Sequence, residues 1–235
     1  AGPGNPPVVV DETADIKQAG RDIVLGASLD NNIVCIAEKQ VFVVESVADE
    51  LIKNMISNSS YEVKGHNLKK LEQLVLTENK GPRKHSVVNK KWVGKDAAVI
   101  LNEIGIKADP STRLVICDVP EDHPFVWSEL LMPVMPIVRV KNADKAIDLA
   151  VESEHGFGHT ASIYSKNIDR ISKMASIINT SIFVVNAPNY TGLGLGGEGY
   201  TSFTIASPTG EGLTSAKNFT RERKANFVNS LRLQS

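Results

Sequence analysis

What most constrains this chain is an alternation of two periodicities along it. Gln40-Val-Phe-Val-Val-Glu45 is a short β-branched run, and the Val47, Leu51, Ile52, Met55 and Ile56 that follow share one helical face. The alternation continues with a predicted helix near Lys95 to Ile104, a strand at Leu114 to Cys117 and a helix near Asp144 to Glu152. Thr160 to Tyr164 then reads as strand, Ile168 to Ile178 as helix and Ser181 to Val185 as strand. Ahead of them all, Asp15 to Ala27 gathers Ile16, Ala19, Ile23, Val24 and Ala27 on one face, with Asp11 and Thr13 as candidate caps. Strands alternating with helices imply an α/β fold, a mainly parallel sheet flanked by helices, and 235 residues suit one large domain.

Charge and cysteine content exclude several classes. The formal net charge is -1, so there is no basic footprint for nucleic acid, and no apolar run approaches the roughly 20 residues that span a bilayer. No signal-peptide pattern opens the sequence, and a cytoplasmic protein is expected. Two cysteines, Cys35 and Cys117, are too few for a disulfide scaffold, and no zinc-type spacing is present. Cys117 lies inside a short apolar strand and reads as an inert core thiol.

Two stretches break the alternation. Thr77 to Lys91 carries Gly81-Pro-Arg-Lys84 and reads as an exposed loop, and Asn186 to Ser215 is long and rich in Gly, Pro, Ser and Thr. Within the second, Gly192-Leu-Gly-Leu-Gly-Gly197 satisfies the spacing of a dinucleotide-binding loop. Pro188 separates it from the preceding strand, however, and no good helix follows, so it is expected not to bind phosphates. Ala225 to Leu233 is a candidate terminal strand that would pair outside this chain.

Cys35 stands in a different setting from Cys117. It ends the turn Asp30-Asn-Asn-Ile-Val-Cys35 between a helix and a strand, where amides left unpaired could support a thiolate and an oxyanion. On the residues alone it is a candidate nucleophile or a buried structural thiol.

Gly2 to Asp15 and Asp30 to Cys35 resemble the segment leading to the catalytic cysteine of the aldehyde dehydrogenase superfamily. The likeness is to its CoA-acylating branch, which includes the propionaldehyde dehydrogenases of bacterial microcompartments and one half of the bifunctional alcohol dehydrogenases. It extends through Ser128-Glu-Leu-Leu-Met-Pro-Val134, Gly156-Phe-Gly-His-Thr-Ala-Ser162 and Ser207 to Ala216. The resemblance implies a Rossmann-like three-layer catalytic domain over residues 1–206, a tail with an oligomerisation strand over 207–235, and an NAD-binding domain absent from this chain. It implies that Cys35 attacks a small aldehyde, that hydride passes to NAD, and that CoA resolves the thioacyl enzyme, with no metal. Hydrolytic relatives carry a general-base glutamate where Ala1 stands here, which favours acyl-CoA as product over free acid. A hydrolytic enzyme and a non-catalytic assembly remnant are the competing readings.

The resemblance also assigns Glu129 to the nicotinamide ribose, against a solvated loop carboxylate. It places His159 near CoA, against a histidine that orders the turn before Thr160. His66, His85, His123 and His155 read as surface or loop residues. Arg221, Arg223 and Lys224 read as a solvated basic run that could otherwise meet CoA phosphates. A homo-oligomer, and possible residence in a microcompartment lumen, are further expectations of the resemblance.

Overall fold

The computed structural model describes residues 3–197, 199–206, 212–226 and 228. Its elements run β1 (Pro7–Val10), α1 (Ile16–Ala27), β2 (Gln40–Val44), α2 (Glu45–Ser57), β3 (Ser60–Glu62), α3 (His66–Val75), β4 (Leu76–Glu78) and β5 (Val87–Val88). They continue with α4 (Ala97–Glu103), β6 (Leu114–Asp118), β7 (Val134–Val140), α5 (Ala143–Ser153), β8 (Thr160–Tyr164), α6 (Ile168–Ile178), β9 (Ile182–Val185), β10 (Ile205–Ala206) and β11 (Gly212–Leu213). Seven strands form one sheet in the order β3-β6-β7-β2-β1-β8-β9, and every neighbouring pair in it is parallel.

Alternation along each strand divides the core into two faces, because successive side chains point to opposite sides of a sheet. Val8, Val10, Val41, Val43, Ile116 and Ile137 pack under α1 and α2. Val9, Phe42, Val44, Val115, Cys117 and Val138 face α3, α4, α5 and α6. Strands covered on both faces read as continuous apolar runs, and the fold is a three-layer α/β sandwich.

Several expectations are corrected here. The N-cap of α1 is Asp15, whose carboxylate accepts from the Gln18 amide at 3.0 Å; Asp11 and Thr13 do not cap it. Instead Asp11 accepts from the Thr13 amide and hydroxyl. Thr77 to Lys91 is not wholly a loop: β4 and β5 pair antiparallel across it, although most of its residues are exposed. β7 escapes a sequence reading because Pro133 stands just before it and Pro136 interrupts it. Pro136 nonetheless sits in an interior strand opposite Cys117, although proline cannot donate to a ladder.

In the Asn186 to Ser215 stretch a 3-10 turn (Asn189–Leu193) is followed by the small β10-β11 hairpin. No α-helix follows Gly197 among the described residues, only a short 3-10 turn at Ala216–Phe219, so the spacing of a dinucleotide loop lacks its context. Most of the candidate strand to Leu233, and Ala1, lie outside the described residues. No helix among the described residues is long and apolar enough to cross a membrane.

Candidate active site

Parallel strands bring all their entering segments to one edge. The segments that enter the four adjacent strands β7, β2, β1 and β8 carry, respectively, Glu129, Cys35, Gly4 and His159. Residues scattered along the sequence thereby meet at the amino-terminal edge of the sheet.

Cys35 is partly exposed, on a turn that opens with three consecutive residues at positive φ: Asp30 (47°), Asn31 (50°) and Asn32 (65°). Asp and Asn tolerate that left-handed region better than other side chains. Asn32 holds the turn closed, its Nδ2 donating to the Ala27 carbonyl at 2.7 Å and the Glu38 carbonyl at 2.9 Å. Beyond it, the Cys35 amide donates to no group among the described residues. An unpaired amide beside a partly exposed thiol is the arrangement that can receive an oxyanion.

Gly4 separates Cys35 from His159. A Cβ built on Gly4 would lie 3.1 Å from the Cys35 carbonyl oxygen and 3.4 Å from His159 Cγ, so the residue must be small for the three segments to close. His159 is buried; its amide donates to Glu154 Oε1 at 2.9 Å, and its Nδ1 lies 2.8 Å from the Thr160 hydroxyl. Burial, and then the charge of Lys39, pull the His159 pKa below the usual 6.5, which leaves the ring neutral at neutral pH. These bonds order the turn before Thr160, the structural role foreseen for it.

Glu129 is not a solvated carboxylate: its side chain is 15% exposed, and Oε1 lies 3.9 Å from Lys39 Nζ. Burial raises its pKa, against Lys39 and the Gly4 amide, which lower it. Lys39 itself was missed by sequence reasoning, since a lone lysine at the head of a strand reads as an edge charge. Its side chain is 2% exposed, and burial pulls its pKa from 10.5 down to about 8, opposed by Glu129, Cys35 and Glu38.

Glu38 was missed likewise. Burial pushes its carboxyl up to about 8, while its Oε1 accepts from the Asn189 amide at 2.8 Å. That bond joins the cysteine turn to the loop after β9, and Asn189 Nδ2 completes the junction on the Ile36 carbonyl at 2.9 Å. The one available signal was Glu-Lys placed where a chain turns into a buried strand, a costly choice for two charges unless they serve a purpose.

The other predicted residues lie elsewhere. Cys117 is fully buried, and burial pushes its thiol pKa up, out of the reactive range. His123 is a loop residue, part-buried, 3.5 Å from Glu72 and edge-on against Phe125. His155 is exposed and lies 3.2 Å from the Trp127 carbonyl. His66 and His85 are exposed, as are Arg221, Arg223 and Lys224. A cavity of about 490 Å³ lies beside the turn before β8, lined by Glu154, Gly158, Asn179 and Thr180; Cys35 and Glu129 do not line it.

The fold and the site together define a three-layer parallel α/β domain that presents a partly exposed thiol on a left-handed turn at the entry of its central strands. The chain belongs to the aldehyde dehydrogenase family, whose model matches residues 2–218. It is 49% identical to the acetylating acetaldehyde dehydrogenase of Salmonella typhimurium, over 99% of this chain and 50% of that protein. The solved structure of Rhodopseudomonas palustris propionaldehyde dehydrogenase with bound CoA and an acylated cysteine superposes with a TM-score of 0.89 at 52% identity. That match covers 95% of this chain and 50% of the other. An engineered glycolyl-CoA reductase with bound NADP+ matches with the same TM-score at 53% identity, over 95% of this chain and 49% of its own. The chain thus spans about half the length of the relatives it matches.

Proposed function

We propose that this chain is the nucleophile-bearing part of a CoA-acylating aldehyde dehydrogenase, with residues 1–206 as its catalytic domain and 207–235 as a tail. The observation that carries the reading is the convergence of Cys35, His159 and Glu129 at one sheet edge in a chain whose relatives acylate CoA. The Cys35 sulfur adds to the aldehyde carbonyl, and the Cys35 amide faces the oxygen that gains negative charge. A nicotinamide cofactor, held mainly by the part of the protein beyond this chain, supplies the hydride acceptor that turns the adduct into a thioester on Cys35. Glu129 fits a place at its ribose: the carboxylate is fixed on one side by Lys39 and keeps acceptor capacity for hydroxyls. Neutral His159 takes the proton from the CoA thiol, which attacks the thioester carbonyl and releases Cys35. Small aldehydes and CoA are the substrates in this reading.

The test runs the second half backwards. The protein and its Cys35→Ala variant are incubated with propionyl-CoA and weighed intact by mass spectrometry, both as this chain and within the longer protein. A propionyl adduct on the wild type alone, discharged by free CoA, is expected. If the longer protein takes no adduct, or the alanine variant takes the same one, the assignment fails.

A further inference from the structure

Lys39 has a place in the fold that its charge alone would not explain. Its amide donates to the Pro6 carbonyl at 2.9 Å, anchoring it beside β1, and its stem runs inward beneath the cysteine turn. The ammonium donates to the Asn32 carbonyl and to Asn32 Oδ1, each at 2.8 Å, and to the Val34 carbonyl at 3.4 Å. Three donors therefore grip the last of the three left-handed residues and the residue immediately before the nucleophile. A buried ammonium needs an anion, and the carboxylate facing it stands 3.9 Å off, beyond hydrogen-bond reach. Glu38, next in the chain, directs its carboxylate elsewhere, toward the Asn189 amide and against Gly26. The titratable groups that act on this ammonium are Glu129, Cys35 and Glu38, and it acts in turn on His159.

We propose that Lys39 is a positioning residue of the nucleophile: its ammonium fixes the Asn32-to-Val34 backbone that presents Cys35. Lys39 touches neither aldehyde nor cofactor and passes no proton; it acts through Cys35. The proposal deepens the reading of Cys35 as nucleophile and rests on it.

The experiment is the rate of Cys35 alkylation by iodoacetamide at pH 7, mapped by mass, in the full chain. Buried Cys117 serves as the internal gauge of folding, because it stays unmodified while the core is intact. Lys39→Met keeps the apolar stem and removes the three donors to the turn, so the rate should fall about tenfold with Cys117 still protected. Lys39→Arg, which can still donate to the Asn32 and Val34 carbonyls, should restore it. An unchanged rate in a folded Lys39→Met variant overturns the proposal. If that variant exposes Cys117, Lys39→Arg decides, and a folded Lys39→Arg tenfold slower than the wild type overturns it too. Alkylation uses no acyl-CoA, so failure of the propionyl adduct and failure of this rate are separate results.

Discussion

At the carboxyl-terminal edge of the sheet, beyond β1 and β8, Asp11 is fully buried and yet fully served. Its oxygens accept from Thr13, from the Ser165 hydroxyl at 2.6 Å and from Arg170 at 3.0 Å. Burial would raise its carboxyl, but those hydrogen bonds together hold it below the usual 3.8. The amino-terminal edge, in the same sheet, buries Lys39 and Glu38 and moves both pKa values toward neutrality. Asn5 Oδ1, Glu38 Oε2, Gln40 Oε1 and Asn189 Oδ1 find no hydrogen-bond partner there among the described residues. One edge gains stability from being charged at neutral pH, and the other loses it. Folds carry such a cost where chemistry is done, and offset it in the rest of the core.

The sharpest break of this comparison is Arg170→Ala, which strips the main counter-charge from Asp11. It should cost roughly 3 kcal/mol in urea unfolding, at the low end for a broken buried pair because Ser165 and Thr13 remain. It should leave the alkylation of Cys35 unchanged; a slower thiol would mean that the two edges are not independent. The pH dependence follows the same logic. The depressed Asp11 carboxyl contributes stability above its ordinary 3.8 that is lost as pH falls through its folded value, and the variant should show a shallower acid transition.

Gly26→Ala comes next. Its Cβ would fall 2.2 Å from Glu38 Oε2, and crowding of that kind costs about 1–3 kcal/mol, against about 1 kcal/mol regained in helix propensity. A lowered urea midpoint is the expected sign, and a raised one would show that the Glu38 carboxylate has room to withdraw.

Glu38→Gln, which keeps an acceptor for the Asn189 amide, is expected to act through pH and not at the midpoint of a single condition. In the wild type the unfolded carboxyl ionises near 4.5 and the folded one near 8, so this group lowers stability as pH rises between them. The variant should flatten that slope. Lys39, whose folded value lies near 8 against 10.5, acts in a higher window, where stability recovers as pH rises. Urea midpoints across pH 5 to 10 separate the two.

How much of this was readable in advance follows the same division. Helices α1, α2, α5 and α6, and strands β2, β6, β8 and β9, declared themselves by period, because each buries one stripe or a whole β-branched run. β3 is only three residues long and β7 carries a proline with another just ahead of it, so neither produces a local signal; tertiary pairing makes them strands. Cys35, Glu129 and His159 were found through family likeness, and their convergence follows from strand order, which no single segment encodes. Lys39 and Glu38 were invisible because burial of a charge is a property of the assembled edge.

The strand order has a consequence for time as well as place. β1 is inserted between β2 and β8, and Asn5, just ahead of it, ties the Val126 and Ser153 carbonyls across sequence separations of 121 and 148 residues. Contacts that distant form late, after loop closure has been met by nearer ones. Cys35 and His159, which flank Gly4 beside that same junction, are brought together only when β8 docks on β1. The thiol is therefore expected to acquire its surroundings late in folding, and its reactivity during refolding would time the docking of β8 on β1.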